Sequence, residues 1–89
     1  MSTVITFKIT EAASRCNINT SEIIQFITFE WVQPHDIENL LLDEDDIARI
    51  LLINDLRKHL GVNDEGVPII LHLIDQLNHL QLELSEDTE

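Results

Sequence analysis

The chain has 89 residues, 44% of them apolar, and sets 17 acidic side chains against 5 basic ones for a formal net charge of −12. Its mean hydropathy of +0.02 describes a folded domain and not a disordered acidic tail, while charge of this sign disfavours nucleic acid and anionic membranes and favours basic partners. A single cysteine, Cys16, excludes an internal disulfide and a cysteine-based zinc site.

Residues 3–9 alternate, with Ile5, Phe7 and Ile9 on one side and Thr6 and Lys8 on the other, the pattern of a half-buried strand. Thr10 offers an N-cap to a short first helix over residues 11–16. Asn17 and Ile18 turn the chain, and Asn19 caps a second helix with Glu22 at the capping-box position. Ile23, Ile24, Phe26, Ile27 and Val32 give that helix an apolar face, and Pro34 ends it no later than Gln33. Residues 31–33 and 39–42 read as the arms of a hairpin around the polar loop 34–38.

Asp43 caps a third helix whose opening acids, Glu44, Asp45 and Asp46, suit the positive end of the helix dipole. Its apolar positions run through Ile47, Ile50, Leu51, Leu56 and Leu60, and Gly61 stops it. Asn63 or Asp64 caps the fourth helix, which tolerates Gly66 and Pro68 around its first turn. Ile70, Leu73, Leu77, Leu80 and Leu84 then step by three and four residues, an apolar seam with two destinations: the domain core or a second copy of the chain. The expected architecture is mostly α with a small β element. It is a winged helix-turn-helix of about four helices with a short N-terminal strand and a wing hairpin, spanning residues 1–84, with 85–89 as a flexible acidic tail.

Residues 16–48 contain no Lys or Arg, yet they contain Glu22, Glu30, Asp36, Glu38, Asp43, Glu44, Asp45 and Asp46. A DNA-binding surface draws most of its affinity from basic side chains that neutralise phosphates, so the charge opposes the function this architecture usually serves. The run 43–46 lacks the alternating ligand offsets and the bend glycine of a calcium loop. His72 and His79 lie seven residues apart, about 10 Å along a helix and too far for a helical zinc pair. Asp75 and His79 have the four-residue spacing of an exposed charge pair. No nucleophile elbow, phosphate-cradling loop or Cys/His couple is present, so no enzyme, cofactor or metal is expected. The chain start has no basic n-region, and no apolar run approaches the roughly 20 residues of a membrane span, so a cytoplasmic protein is expected.

The order strand, short helix, turn, capped helix, wing, helix, capped helix resembles the MerR-type DNA-binding domain. Phe7-Lys8-Ile9-Thr10-Glu11-Ala12-Ala13 looks like its opening strand and first helix, and Ile18-Asn19-Thr20-Ser21-Glu22 through Val32-Gln33-Pro34 looks like its turn, second helix and approach to the wing. Leu56-Arg57-Lys58-His59-Leu60-Gly61-Val62-Asn63 resembles the junction before its next helix. The Val-Gln-Pro segment, the stretch Gly61-Val62-Asn63-Asp64-Glu65-Gly66-Val67 before Ile69-Ile70-Leu71, and the small acidic chain resemble the chaperone-modulator (CbpM-type) branch over about residues 4–82.

That resemblance implies a regulator that binds the J-domain of a DnaJ-like co-chaperone and inhibits it by covering the basic face that engages Hsp70. Charge and position nominate Asp43, Glu44, Asp45 and Asp46 as contacts, extended by Glu22, Glu30, Asp36 and Glu38, with Ile70, Leu73, Leu77, Leu80 and Leu84 as the seam for a homodimer. The alternative is a transcription regulator that reads bases with Thr20, Ser21, Glu22 and Gln25. A third class is an acidic adaptor, antitoxin or inhibitor of some other basic protein.

Overall fold

The computed structural model describes residues 3–87, with side chains through Gln81. In chain order it contains β1 (Phe7–Lys8), α1 (Ile9–Cys16), α2 (Thr20–Thr28), β2 (Leu41–Leu42), α3 (Glu44–Lys58) and α4 (Val67–Asp87). Four helices and a two-stranded antiparallel element are the architecture the sequence predicts. The chain divides into two compact units, Met1–Asp55 and Leu56–Glu89, with the boundary inside α3. Among the described residues no helix is long and apolar enough to cross a membrane.

In the first unit α1 packs on α2 and on both strands, placing Ala12, Ala13 and Cys16 against a core that includes Ile23, Phe26, Leu42, Ile50 and Ile53. Small residues on α1 let its backbone approach its neighbours closely, which suits a helix of only eight residues. Burial pushes the Cys16 thiol up from its ordinary pKa, the Arg15 charge offsetting part of the rise, so this cysteine is a small core hydrophobe.

Several boundaries differ from the sequence reading. The first strand shrinks from residues 3–9 to Phe7–Lys8, because its partner is only Leu41–Leu42, paired as Phe7 with Leu42 and Lys8 with Leu41. Ile5 is consequently exposed. The first helix starts at Ile9 with Lys8, not Thr10, at its cap, where the Lys8 N–H donates to Glu11 Oε1 at 2.9 Å. Asn17 adopts a left-handed φ of 57° to end the helix, a conformation asparagine tolerates better than most residues. Asn19 does cap α2, although its side chain makes no cap hydrogen bond.

The second helix stops at Thr28, five residues short of Gln33. Glu30 enters the left-handed region at φ 62°, and the Trp31 and Val32 N–H groups both turn back onto the Phe26 carbonyl, at 3.0 and 3.4 Å. Residues 31–33 therefore form no strand. Trp31 and Val32 instead plug the core, and the Arg49 guanidinium of α3 donates to the Trp31 carbonyl. The wing is closed lower down by a single bridge between Asp36 and Leu41, and β2 pairs with the N-terminal strand.

In the second unit α3 ends at Lys58, leaving Leu60 exposed outside the helix. Gly61 at φ 67° turns the chain where a side chain would be strained, and the Val62 N–H closes the turn on the Leu56 carbonyl at 2.8 Å. Asn63 holds the approach to α4, its Oδ1 accepting the Gly66 N–H at 2.9 Å. Arg57 spans the turn to Asp64 at 3.0 Å. Among the described side chains of α4 the buried positions are Val67 and Leu71, while Leu73, Leu77 and Leu80 are more than half exposed and Ile70 is half-buried. The seam thus lies on the uncovered side of α4, so its core destination does not hold for these three leucines. The Leu84 side chain lies outside the described residues. Of the expected tail, residues 85–87 continue α4, and 88–89 lie outside the described residues.

Candidate functional site

The nominated acids divide into two groups. Asp43 and Asp46 form a reciprocal cap at the start of α3: the Asp46 N–H donates to Asp43 Oδ1 at 2.8 Å, and the Asp43 N–H donates to Asp46 Oδ2 at 3.0 Å. Asp46 Oδ2 also accepts the His35 N–H at 3.0 Å, tying the wing loop to α3. Asp46 is 9% exposed and so offers little to a partner. Burial raises its pKa; the N–H donors from Asp43 and His35 work against the rise, and the neighbouring Asp43 carboxylate adds to it. Residues Glu44 and Asp45 are exposed.

Asp36 is likewise a structural acid. Its carboxylate accepts the Asn39 N–H at 3.0 Å and the Asn39 side-chain amide at 2.9 Å, and these bonds hold its pKa below the ordinary value. They brace the wing turn in which Leu40 sits at φ 53°, replacing the Asn-Gly pair a tight hairpin usually needs. Glu30 and Glu38 are exposed, and Glu22 is half-buried.

Thr3, Val4, Ile5, Asp43, Glu44 and Asp45 line an open depression of about 300 Å³. Aliphatic surface beside carboxylates suits a lysine or arginine side chain, whose stem is apolar and whose head is cationic. Sequence reasoning missed the aliphatic half of this depression, because Ile5 reads as the inward face of a strand.

The exposed face of α2 carries Thr20, Ser21, Ile24, Gln25 and Thr28 and no charge. Of the three basic residues before Asp55, Arg15 lies 4.5 Å from the centre of the Phe7 ring and Arg49 holds the Trp31 carbonyl. Two of the three therefore serve the fold. Among the described residues no group of three or more His, Cys, Asp or Glu could hold a metal ion.

The two-segment role of Asp46 has a measurable consequence. Asp46→Ala removes the acceptor of two N–H groups, and unsatisfied buried donors cost about 1–3 kcal/mol each. A loss of about 2–3 kcal/mol is expected in urea unfolding, whereas Glu44→Ala changes stability by less than about 1 kcal/mol.

Comparison with curated proteins finds no match for the chain. A family model described as MerR HTH family regulatory protein matches residues 7–86. That span runs from β1 to the last turn of α4 and includes the helix-turn-helix, the wing and the acidic start of α3. The chain belongs to the MerR helix-turn-helix family of regulatory proteins.

Proposed function

We propose that this MerR-family domain is an acidic regulatory binding protein of the cytoplasm that occupies the J-domain of a DnaJ-like co-chaperone and occludes its basic Hsp70-binding face. The observation that carries the proposal is the depression at the start of α3, where exposed Glu44 and Asp45 stand beside exposed Val4 and Ile5. Opposite charge steers encounter and selects the partner, and desolvated apolar contacts supply most of the affinity. Asp43, Asp46 and Asp36 act indirectly by setting the shape of that surface.

A homodimer through α4 belongs to the same proposal. Ile69, Leu73, Leu77 and Leu80 are each more than half exposed, and residues 67–82 include one formal charge, Asp75, in a chain of net charge −12. Two copies meeting there bring little like charge together.

Calorimetric titration against a J-domain at low and high salt tests the partner. Binding should weaken several-fold as salt rises. The double change Glu44→Gln with Asp45→Asn should weaken it about 2- to 30-fold at low salt, each exposed charge being worth about 0.2–1 kcal/mol. Absence of binding at low salt defeats the proposal.

The family match favours a second reading, a DNA-binding regulator, with Thr20, Ser21 and Gln25 on the open face of α2 able to address base edges. A mobility shift on duplex DNA at physiological salt would establish that reading instead.

A further inference from the structure

Helices α1 and α3 agree with the helix dipole, whose positive N-terminal end favours acids and whose negative C-terminal end favours bases. The first turn of α1 holds Glu11 and its last turn Arg15, while α3 opens with Glu44, Asp45 and Asp46 and closes with Arg57 and Lys58. Helix α4 inverts the pattern. Its first turn holds no acid and its last turn no base, and Glu83, Glu86 and Asp87 fall among its final residues, at the end where the dipole disfavours them. The same helix leaves Ile69, Leu73, Leu77 and Leu80 exposed in one stripe. An uncovered stripe names no partner by itself, but the inverted charge is complementary to the opposite end of a second α4.

We propose that α4 pairs antiparallel with the α4 of a second copy along this stripe, with the two-fold axis beside Gln76 and Leu77. This pairing rests on the homodimer proposed above and gives it a direction and a register. Antiparallel neighbours set the acidic end of each helix beside the first turns of the other, where the positive end of the dipole lies. Matching residues 83–87 of one copy to residues 67–70 of the other brings Leu73 opposite Leu80 of the second copy, so apolar side chains meet along the whole stripe. Such an interface is isologous and closes on itself. Parallel neighbours would instead align the two dipoles in the same sense and stack one acidic end on the other.

The charges at the two ends of this compact unit decide between the directions. Residues 82–89 carry four acids and no base. Between residues 56 and 66, Arg57 and Lys58 balance Asp64 and Glu65, and Arg57 lies 3.0 Å from Asp64. Packed helices lie about 8–10 Å apart, close to the Debye length of about 8 Å at physiological salt. Parallel pairing therefore sets four acids against four with only partial screening, whereas antiparallel pairing sets each group of four beside a neutral end. Asp75 is two residues from both Leu73 and Leu77, so it stands off the stripe in either direction.

Disulfide trapping in the full chain tests the direction. Cys16 is buried and stays out of the reaction, with the wild-type chain as its control. In the antiparallel register, residue 73 of each copy is offset from its own counterpart by about 10 Å along the axis, as is residue 80, beyond the roughly 7 Å between Cα atoms that a disulfide spans. The double variant L73C/L80C should therefore yield about tenfold more covalent dimer under mild oxidation than L73C or L80C alone. Either single variant cross-linking as well as the double one overturns the antiparallel pairing, as does a double variant that dimerises without cross-linking. Sedimentation velocity of the wild type separates the two levels: a monomer at high concentration defeats the homodimer itself and the pairing with it. If the double variant sediments as a monomer, isotope-filtered NOEs in a mixture of labelled and unlabelled wild-type chains carry the test. Contacts between copies should then join Leu73 methyls to Leu80 methyls, and contacts joining Leu73 to its own counterpart overturn the proposal.

Discussion

Phe26→Ala is expected to remove about 3–5 kcal/mol of stability, the usual loss when a buried aromatic ring is truncated and the core cannot collapse around the gap. Phe26 is fully buried, and its ring centroid lies 5.8 Å from that of Trp31. Its carbonyl also receives the two N–H groups that turn the chain out of α2. One position thus joins the helix, its exit and the core. A chain of this length has a total stability of about 4–13 kcal/mol, so the variant should stand near the edge of folding. The single tryptophan, Trp31, reports the transition directly by fluorescence in urea. Phe29→Ala is the control, since Phe29 touches the same tryptophan at 4.9 Å but is 45% exposed, and it should cost less than about 1.5 kcal/mol. Equal losses in the two variants would mean that the core is not centred on Phe26.

Leu77→Glu should leave the fold intact and dissociate the proposed homodimer. Leu77 is 54% exposed in the single chain, so a carboxylate there costs the monomer little. Across a two-fold interface the substitution is counted twice, and burial of a leucine is worth about 1.5–3 kcal/mol. The sum is about 4 kcal/mol, or about a thousandfold in the dimer dissociation constant. Sedimentation velocity at several concentrations measures it. A wild-type chain that sediments as a monomer at high concentration would remove the second copy as the occupant of this face. An unchanged dimer in Leu77→Glu would place the interface elsewhere.

Helix order was legible because its signals are local. Asn19 and Asp43 cap the helices that their positions in the sequence predict, and Gly61 turns the chain near where it reads as a stop. Pairing was less legible, since β1 finds its partner at residues 41–42 across two helices and a loop, and periodicity within a strand says nothing about which distant segment supplies its hydrogen bonds. The exit from α2 carries no local signal at all: the left-handed positions Glu30 and Leu40 are neither glycine nor asparagine, and surrounding packing overrides their preference. The seam of α4 was legible as a stripe, but a stripe does not declare whether anything covers it. The acidic run 43–46 read as one solvated surface because a single burial step, at Asp46, is invisible in composition.

That burial step separates two kinds of inheritance. Asp43 and Asp46 are answerable to the backbone they cap, and changing them disturbs the wing. Their neighbours Glu44 and Asp45 face outward, and neutralising either costs only about 0.3–1 kcal/mol of helix-end electrostatics. Within four consecutive residues the domain therefore holds two acids tied to the backbone and two that face solvent. On the proposed reading, the outward pair tunes the electrostatics of the binding surface while the capping pair holds the wing in place.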